Sequence, residues 1–291
     1  MKILVTGSEG FIGKHLVRFL KNKGLHVLTF DLVNGQNLLD KSTVEDVFSQ
    51  KIDYIIHLAA FGDVYKATED PVGALISGAA ATANLVNIAS KYKVKKIIYV
   101  STWEVYGKPI YEPIDENHPC LPFHPYSIAK YSGELIIRSV INKIPWVILR
   151  LGSVYGPNMR SYAVIPLFIN KAYKKEVIIL QGEGKQTRQF VHIDDICRTF
   201  LKVINSKIKN DIFNIVGKEI ISIKQIAHEV DKYVPLKTMD GQVRLGDPIN
   251  AVISGKKAYN VFNWSSQISI EAGISELISD IKSKKYKGSR K

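Results

Sequence analysis

Apolar positions alternate between two patterns over the first half of the chain. Five short runs are almost continuously apolar and rich in Ile, Val and Leu, at residues 2–6, 26–30, 54–57, 96–100 and 146–149. Runs of this kind are typical of strands that are buried on both faces of a parallel sheet. Helix-length segments separate these runs, at residues 11–22, 43–50, 72–92 and 126–142. The alternation predicts an α/β fold with a doubly wound parallel sheet.

The alternation becomes less regular after Tyr155-Gly156-Pro157. Helices are expected at residues 164–174, 195–205 and 222–232, and strands at 177–181 and 211–216. We therefore predict a first domain over residues 1–157 and a smaller C-terminal lobe over residues 158–291. Segments near residues 185–216 are expected to return to the sheet of the first domain.

Composition agrees with a globular fold but leaves the partners open. The chain has 291 residues, of which 46% are hydrophobic and 23% are charged, and its formal net charge is +13. The lysines occur in scattered runs without a helix-turn-helix, zinc-finger or aromatic RNA-binding signature, so we predict no nucleic-acid partner. An excess of positive charge can equally attract a negatively charged diphosphate substrate.

The sequence shows no pattern typical of a signal peptide, a membrane span or a metal site. No apolar run approaches the roughly 20 residues that a membrane span needs, and residues 1–7 are typical of a first strand rather than of a signal peptide. The two cysteines, Cys120 and Cys197, have neither metal-ligand nor redox spacing. The sequence therefore predicts a cytoplasmic protein with no membrane partner and no metal.

A glycine-rich turn follows the first predicted strand, with the sequence Thr6-Gly7-Ser8-Glu9-Gly10-Phe11-Ile12-Gly13. Glycines at this spacing let the backbone turn tightly, approach a pyrophosphate and pack the next helix against the strand. The N-terminus of that helix offers free N–H groups and the positive end of the helix dipole to phosphates. We therefore predict a dinucleotide site whose contacts come from Gly7, Gly10, Phe11, Ile12 and Gly13.

Further cofactor contacts are expected where the next strands end. Asp31 ends the second strand, where a carboxylate can accept hydrogen bonds from ribose hydroxyls and repels a 2′-phosphate. NAD is therefore the predicted cofactor of the first domain. Other candidate contacts are Leu39, Asp40, Leu58, Ala59 and Ala60. For Asp40, capping of a helix N-terminus is an equally good interpretation.

Two segments carry residues suited to hydride-transfer chemistry. Thr102 follows the fourth strand, at the edge where ligands bind in open parallel sheets. Tyr126 and Lys130 form a Tyr-x-x-x-Lys pair, which places the phenol and the ammonium on one helix face beside the cofactor. Lys130 and an oxidised nicotinamide are expected to lower the pKa of Tyr126, so that Tyr126 can exchange a proton with a substrate hydroxyl. Thr102 can hydrogen-bond the same oxygen.

Together these segments resemble the extended short-chain dehydrogenase/reductase family, in its NAD-dependent epimerase/dehydratase branch acting on nucleotide sugars. Residues 150–157 and 181–195 are similar to further family segments, as are 244–248 and 262–264. The resemblance covers nearly the whole chain and implies a Rossmann sheet with a lobe that binds a nucleotide-diphosphate sugar. It also implies a homodimer, built as a four-helix bundle from the helices at 72–92 and 126–142.

The resemblance further implies a set of substrate contacts in the C-terminal half. Guanidinium groups match phosphate oxygens in geometry, and the counterparts of Arg188 and Arg244 clamp the substrate diphosphate in the family. The remaining expected substrate contacts are Ser153, Asp247 and Trp103.

The chain departs from the family pattern at several positions near the reacting centre. In the 4,6-dehydratases of the family, an acid and then a glutamate follow the threonine, whereas here Trp103 replaces the acid and Glu104 remains. Trp103 could narrow the pocket over the sugar or pack into the core. Ser153 replaces a usual Asn, and Gly78 stands where another Asn is common. Glu104 is kept as a candidate catalytic residue.

These features favour a 4-epimerase of a nucleotide-linked hexose that works through a transient 4-keto intermediate. The alternative is a reductase of a 4-keto-6-deoxy nucleotide sugar, which would consume external reduced cofactor with the same residues. Without the acid, the chain matches a dehydratase less well, while Glu104 leaves a nucleotide-sugar decarboxylase as a less favoured alternative. A non-catalytic NAD sensor is a further alternative, against which Thr102, Tyr126 and Lys130 argue.

Overall fold

Six parallel strands form the central sheet of the protein. The computed structural model describes residues 1–140, 143–242 and 250–288, with side chains up to residue 283. The strands are β1 (Lys2–Thr6), β2 (His26–Phe30), β3 (Tyr54–His57), β4 (Lys96–Thr102), β5 (Trp146–Leu151) and β10 (Asp211–Ile215). Their order across the sheet is β2-β1-β3-β4-β5-β10, with every neighbouring pair parallel. The predicted α/β fold with a doubly wound Rossmann sheet is therefore confirmed.

Helices cover both faces of this sheet, because strands that are apolar on both sides need two layers to bury them. One face packs against α1 (Phe11–Asn22), α8 (Ile193–Asn205) and α10 (Lys256–Phe262). The other face packs against α2 (Lys41–Phe48), α5 (Ala81–Ala89) and α6 (Pro125–Ser139). The sheet thus places the carboxyl ends of β1, β3 and β4 side by side at one edge.

The predicted helix at 72–92 runs from Pro71 to Ala89 and contains a π-helical turn in its middle. After α3 (Val64–Glu69), the chain forms α4 (Pro71–Leu75), a π-helical turn (Ile76–Ala80) and then α5. Gly78 lies in the π-helical turn, and a Cβ at this position would lie 2.8 Å from the Ala129 Cβ on α6. An asparagine at position 78, which the resemblance implies, would therefore clash with Ala129 on α6.

The run Pro71–Ala89 also corrects an expectation about membrane spans. By length and composition alone this helix could cross a membrane, whereas the sequence predicts no apolar run of about 20 residues. In the fold, Leu85 and Ile88 of this run are fully buried under the sheet, as in the core helix of a globular protein. The predicted absence of a membrane partner and the predicted cytoplasmic location stay predictions.

Among the described residues, three pairs of strands and three helices lie outside the central sheet and its covering helices in the C-terminal half, and form the C-terminal lobe. The strand pairs are β6 (Ser153–Tyr155) with β9 (Phe190–His192), β7 (Val177–Gln181) with β12 (Lys237–Gly241), and β8 (Thr187–Arg188) with β11 (Ile221–Ser222). The helices are α7 (Val164–Lys174), α9 (Ile223–Asp231) and α11 (Ile270–Gly288). They share a core of their own, which includes Phe168, Ile226 and Leu277. From beyond residue 157, α8 and β10 return to the central sheet.

Candidate active site

The glycine-rich turn lies in direct contact with the end of β3. Gly7 has a φ of +70°, and a Cβ there would lie 2.7 Å from the Ala59 backbone nitrogen. A Cβ at Gly13 would lie 2.1 Å from the Gly7 carbonyl oxygen. Both positions therefore require glycine, one because of its positive φ and the other because α1 starts against the turn.

The same turn offers donors to a diphosphate. Phe11, Ile12 and Gly13 form the first turn of α1, whose N–H groups have no partners within the helix. The Ser8 hydroxyl is buried and has no hydrogen-bond partner in the part of the chain that the structure describes. A close backbone turn, free N–H groups and an unpartnered hydroxyl fit the pyrophosphate of a dinucleotide.

Asp31 lies next to the glycine turn, as the ribose assignment requires. One of its carboxylate oxygens accepts a hydrogen bond from the Glu9 N–H at 2.8 Å, and the other accepts from the Val33 N–H at 3.0 Å. The carboxylate is thus held at the carboxyl end of β2, facing the loop that would hold the phosphates. Leu58, Ala59 and Ala60 follow β3 beside this loop and are each partly buried.

Asp40 has a different setting from Asp31. It caps the N-terminus of α2, and its oxygens accept hydrogen bonds from the hydroxyls of Ser42 and Thr43, both at 2.7 Å. These bonds, that from Ser42 foremost, lower the pKa of the Asp40 carboxyl. The geometry supports the helix-cap interpretation, and contact of Asp40 or of the exposed Leu39 with the cofactor stays a prediction.

Thr102, Tyr126 and Lys130 meet at the carboxyl edge of β4. Thr102 is the last residue of β4, and α6 carries both Tyr126 and Lys130 in its first two turns. The Lys130 ammonium is buried and donates to the Val100 carbonyl oxygen at 2.9 Å. Burial lowers the pKa of Lys130 to about 8, against the opposing charge of Glu134. The predicted constellation therefore exists in the fold.

The electrostatics at Tyr126 differ from the expectation of a lowered pKa. Burial, followed by the nearby Glu104 carboxylate, raises the pKa of Tyr126 well above its ordinary value. A hydrogen bond from Thr102 and the charge of Arg160 act in the lowering direction but are outweighed. Within the chain, the loss of water around the phenol exceeds the effects of Thr102 and Arg160. The predicted lowering also includes the charge of an oxidised nicotinamide and stays a prediction.

Trp103 is buried and only 8% exposed. Its indole belongs to a hydrophobic cluster with Tyr106, Ile114, Val216 and Ile253. Of the two interpretations weighed for this residue, the burial supports packing into the core. Contact of Trp103 with the substrate stays a prediction without support from this geometry.

Glu104 faces the site from the 3-10 turn Trp103–Tyr106. One of its carboxylate oxygens lies 2.8 Å from Nε2 of His124, the residue that caps α6. His124 was not predicted, because His is not among the residues that usually cap helices and 20 positions separate it from Glu104.

A buried ion pair supports the site from below. Arg150 on β5 donates from Nε to Glu134 Oε1 at 3.0 Å and from Nη2 to Glu134 Oε2 at 2.6 Å. Glu134 is on α6, one turn beyond Lys130, so the pair connects α6 to the central sheet. Its partners lie on different elements, and no local pattern in the sequence relates them.

A second group of charges closes the site from the side of the lobe. Asp63, in the loop after β3, accepts hydrogen bonds from the Arg160 guanidinium at 2.7 Å and from the Tyr162 hydroxyl at 2.5 Å. Arg160 also donates to the Gly62 carbonyl oxygen at 2.8 Å. Nearly one hundred residues separate the two sides, which explains why the sequence did not indicate this contact.

The predicted substrate contacts are only partly visible. Ser153 begins β6, and Arg188 lies in β8, where its guanidinium donates to the Thr187 carbonyl oxygen. Arg244 and Asp247 fall outside the described residues. Within the described ranges, no group of three or more His, Cys, Asp or Glu side chains could hold a metal ion.

Comparisons with known proteins agree with this geometry. The model of the NAD dependent epimerase/dehydratase family matches residues 3–216. A putative UDP-glucose 4-epimerase from Methanocaldococcus jannaschii is 31% identical, over 96% of this chain and 98% of its own length. Other relatives are dehydratases and a decarboxylase.

Solved structures agree over the whole fold. The crystal structure of Thermotoga maritima UDP-glucose 4-epimerase with UDP-glucose has a TM-score of 0.92 at 27% identity, covering 98% of this chain and 99% of that one. The Bacillus cereus UDP-glucuronic acid 4-epimerase, in complex with UDP-glucuronic acid and NAD, has a TM-score of 0.89 at 29% identity, with 97% and 99% covered. The predicted family resemblance, NAD as cofactor and enzymatic nature are confirmed.

Proposed function

Because the chain belongs to the NAD dependent epimerase/dehydratase family, we propose that it is a 4-epimerase of a nucleotide-diphosphate hexose. One observation carries the proposal. Thr102, Tyr126 and Lys130, the proposed residues for hydride transfer, lie at the end of β4 and the start of α6, while Trp103, which replaces the dehydratase acid by the resemblance, is buried in a hydrophobic cluster. The chain therefore has the residues for oxidation and reduction at a sugar carbon but lacks the acid for elimination of water.

Each residue of the site has a distinct role in this reaction. When bound, NAD supplies a nicotinamide ring that accepts a hydride and returns it. Tyr126 takes the proton of the C4 hydroxyl and later returns it to the same oxygen. Thr102 hydrogen-bonds that oxygen and keeps it beside the phenol. Lys130 supplies positive charge below the phenol, which favours the phenolate during proton transfer.

Epimerisation requires that the 4-keto sugar turns in the site before it is reduced on its other face. The nucleotide must stay anchored meanwhile, and Arg188 and Arg244 are the proposed anchors, since guanidinium groups bind diphosphate oxygens bidentately. Ser153 and Asp247 are proposed as further substrate contacts. Relatives and neighbours named as UDP-glucose 4-epimerases support a nucleotide-linked hexose as the substrate class.

The decisive experiment follows product formation with and without added reduced cofactor. The purified protein is incubated with UDP-, GDP-, CDP- and dTDP-linked hexoses, and the products are resolved by chromatography and NMR. We expect a C4 epimer without any added NADH, because the hydride returns to the sugar it came from. Consumption of NADH with a 4-keto-6-deoxy nucleotide sugar as the only substrate would instead identify a reductase.

Two further outcomes would contradict the proposal. A 4-keto-6-deoxy product from a hexose would identify a dehydratase despite Trp103. NAD released on denaturation, together with no turnover of any nucleotide sugar, would favour a non-catalytic NAD sensor.

The assembly proposed for the enzyme is a homodimer that pairs two helices from each subunit. Apolar side chains stay exposed on α4 and the π-helical turn, at Val72, Leu75 and Ile76, and on α6, at Ile128 and Leu135. On α6 the two exposed residues are seven positions apart and therefore share one helix face. Joining these two surfaces around a two-fold axis would form a four-helix bundle. Sedimentation as a monomer at every concentration would contradict the dimer.

A further inference from the structure

His124 caps the catalytic helix through one of its two ring nitrogens. The Ser127 N–H donates to His124 Nδ1 at 3.2 Å, and the Ser127 hydroxyl donates to the His124 carbonyl oxygen at 2.9 Å. A nitrogen that accepts a hydrogen bond carries no proton, so the neutral imidazole carries its proton on Nε2. The cap therefore selects one tautomer of His124.

The protonated nitrogen of His124 faces Glu104. Nε2 lies 2.8 Å from Glu104 Oε2, which is the distance of a good hydrogen bond from an N–H to a carboxylate. The Glu104 backbone N–H in turn donates to the Thr102 hydroxyl at 3.3 Å. Glu104 is thus held at two points, by the end of β4 and by the cap of α6.

This pair of side chains borders the proton-transfer site. The His124 ring is parallel to the Tyr126 ring within 6°, with 6.0 Å between the centroids. The side chains of His124 and Glu104 are 17% and 22% exposed, so both are partly accessible to solvent. Among the hydrogen bonds of the described residues, none reaches the second carboxylate oxygen of Glu104, Oε1.

We propose that His124 is a positioning residue that holds Glu104 in a fixed orientation, so that Oε1 of Glu104 accepts a hydrogen bond from a sugar hydroxyl next to the reacting carbon. The proposal rests on the proposed function, because it places the sugar at Tyr126. It also gives a reason for histidine at this position. Ser, Asp or Asn would cap α6 as well or better, but only a longer side chain with an N–H donor at the position of Nε2 also reaches Glu104.

Two substitutions separate the roles of the two ring nitrogens. In His124→Asn the short side chain can still cap α6 through its oxygen, but it no longer reaches Glu104. In His124→Gln the amide nitrogen can replace Nε2 as donor to Glu104. Affinities for UDP-glucose and for UDP are measured by calorimetry on the NAD-loaded protein, with the other nucleotide sugars of the panel as additional probes. The difference between the affinities for UDP-glucose and for UDP gives the contribution of the sugar to binding.

We expect His124→Asn to weaken binding of the nucleotide sugar by about three- to tenfold, the range of a single hydrogen bond, and to leave binding of UDP unchanged. His124→Gln should stay within about twofold of the wild type, which a role in capping alone does not predict. Nitrogen NMR of the wild-type protein should show His124 with its proton on Nε2. The His124→Asn spectrum assigns that signal.

The outcomes separate this proposal from the epimerase assignment. Equal sugar affinity in the Asn variant and the wild type, or a proton on Nδ1 of His124, would overturn the positioning role while leaving epimerisation intact. If His124→Asn loses sugar affinity as expected but the wild type shows no turnover, the epimerase proposal is wrong and the positioning role of His124 stands. If the protein binds none of the nucleotide sugars in the panel, both the epimerase proposal and the positioning role of His124 are wrong.

Discussion

The floor and the rim of the site each contain a carboxylate–guanidinium pair, but the two pairs differ in their surroundings. The floor comprises the ends of β1, β3 and β4 with the start of α6, and beneath it Glu134 and Arg150 have side chains that are 0% and 2% exposed. The rim comprises Asp63, Arg160 and Tyr162, where the Arg160 side chain is 43% exposed. Both groups of the first pair are therefore buried, whereas in the second pair Asp63 is buried and only the Arg160 guanidinium is exposed to water.

The difference follows from what each pair connects. Glu134 and Arg150 join α6 to β5 within one layered domain, and removing either leaves a buried charge without a partner. Asp63 and Arg160 join a loop of the first domain to a segment beyond residue 157, where Arg160 is partly exposed to water and the buried Asp63 has further hydrogen-bond donors. The floor should therefore control chemistry and stability, while the rim should affect both less.

The largest expected effect is on turnover, from removal of the phenol in the floor. Tyr126→Phe should lower turnover about 10²- to 10⁴-fold, because the C4 hydroxyl loses its acid/base. The bound NAD content of the purified variant should equal that of the wild type. Tyr162→Phe is the matched control in the rim, since it also deletes one phenol near the cleft. Similar losses in both variants would move proton transfer away from Tyr126.

The second prediction concerns stability. Glu134→Ala leaves the Arg150 guanidinium buried and unpaired, and the free energy of unfolding should fall by about 3–5 kcal/mol. Urea unfolding followed by circular dichroism measures this change. Glu183→Ala breaks an exposed pair with Lys185 and should leave the unfolding curve almost unchanged. A small loss in Glu134→Ala would mean that water or a rearranged partner reaches Arg150.

The third prediction is a loss of stability in acid that originates in the floor. His57 is fully buried between the hydroxyls of Thr6 and Thr82. Burial, with the nearby charge of Lys130, lowers the pKa of His57 from 6.5 to about 3. A histidine with a depressed pKa stabilises the fold fully above about pH 6.5, and this contribution is lost as the pH falls toward 3.

At pH 5 the loss from His57 should be about 2 kcal/mol relative to pH 7.5, and the slope should approach 1.4 kcal/mol per pH unit. Urea unfolding at several pH values measures it. His57→Gln has no titrating ring, so its stability should depend less steeply on pH between 7 and 5. Parallel pH curves for the two proteins would show that His57 can be protonated without unfolding.

The smallest expected effect is in the rim. Arg160→Ala should lower the free energy of unfolding by about 1 kcal/mol or less, because Arg160 is partly exposed and Asp63 keeps the Tyr162 hydroxyl and the N–H groups of Tyr65 and Lys66 as partners. The same urea titration tests it. If Arg160→Ala lowers the free energy of unfolding as much as Glu134→Ala does, the floor and rim pairs contribute equally to stability, which contradicts the expected difference.

Much of the floor could be predicted from the sequence, whereas the rim could not. The glycine turn and the Tyr126–Lys130 spacing are local, since each depends on residues within one strand, turn or helix. Arg160 and Asp63 show no such local pattern, because they are 97 positions apart and their contact depends on the tertiary fold. The Glu104–His124 pair is similar, as the distance between its partners depends on how α6 approaches the end of β4.

The sequence by itself determined the alternation of strands and helices in the first half of the chain, the glycine-rich turn after β1 and the Tyr126–Lys130 spacing on α6. These features depend on residue periodicity, backbone sterics and chemical type, which are properties of short segments. Only the tertiary structure decided that Trp103 packs in the core, that Asp40 caps a helix and that burial raises the pKa of Tyr126. Those outcomes depend on which segments exclude water from one another, and that is settled only when the layers of the fold pack together.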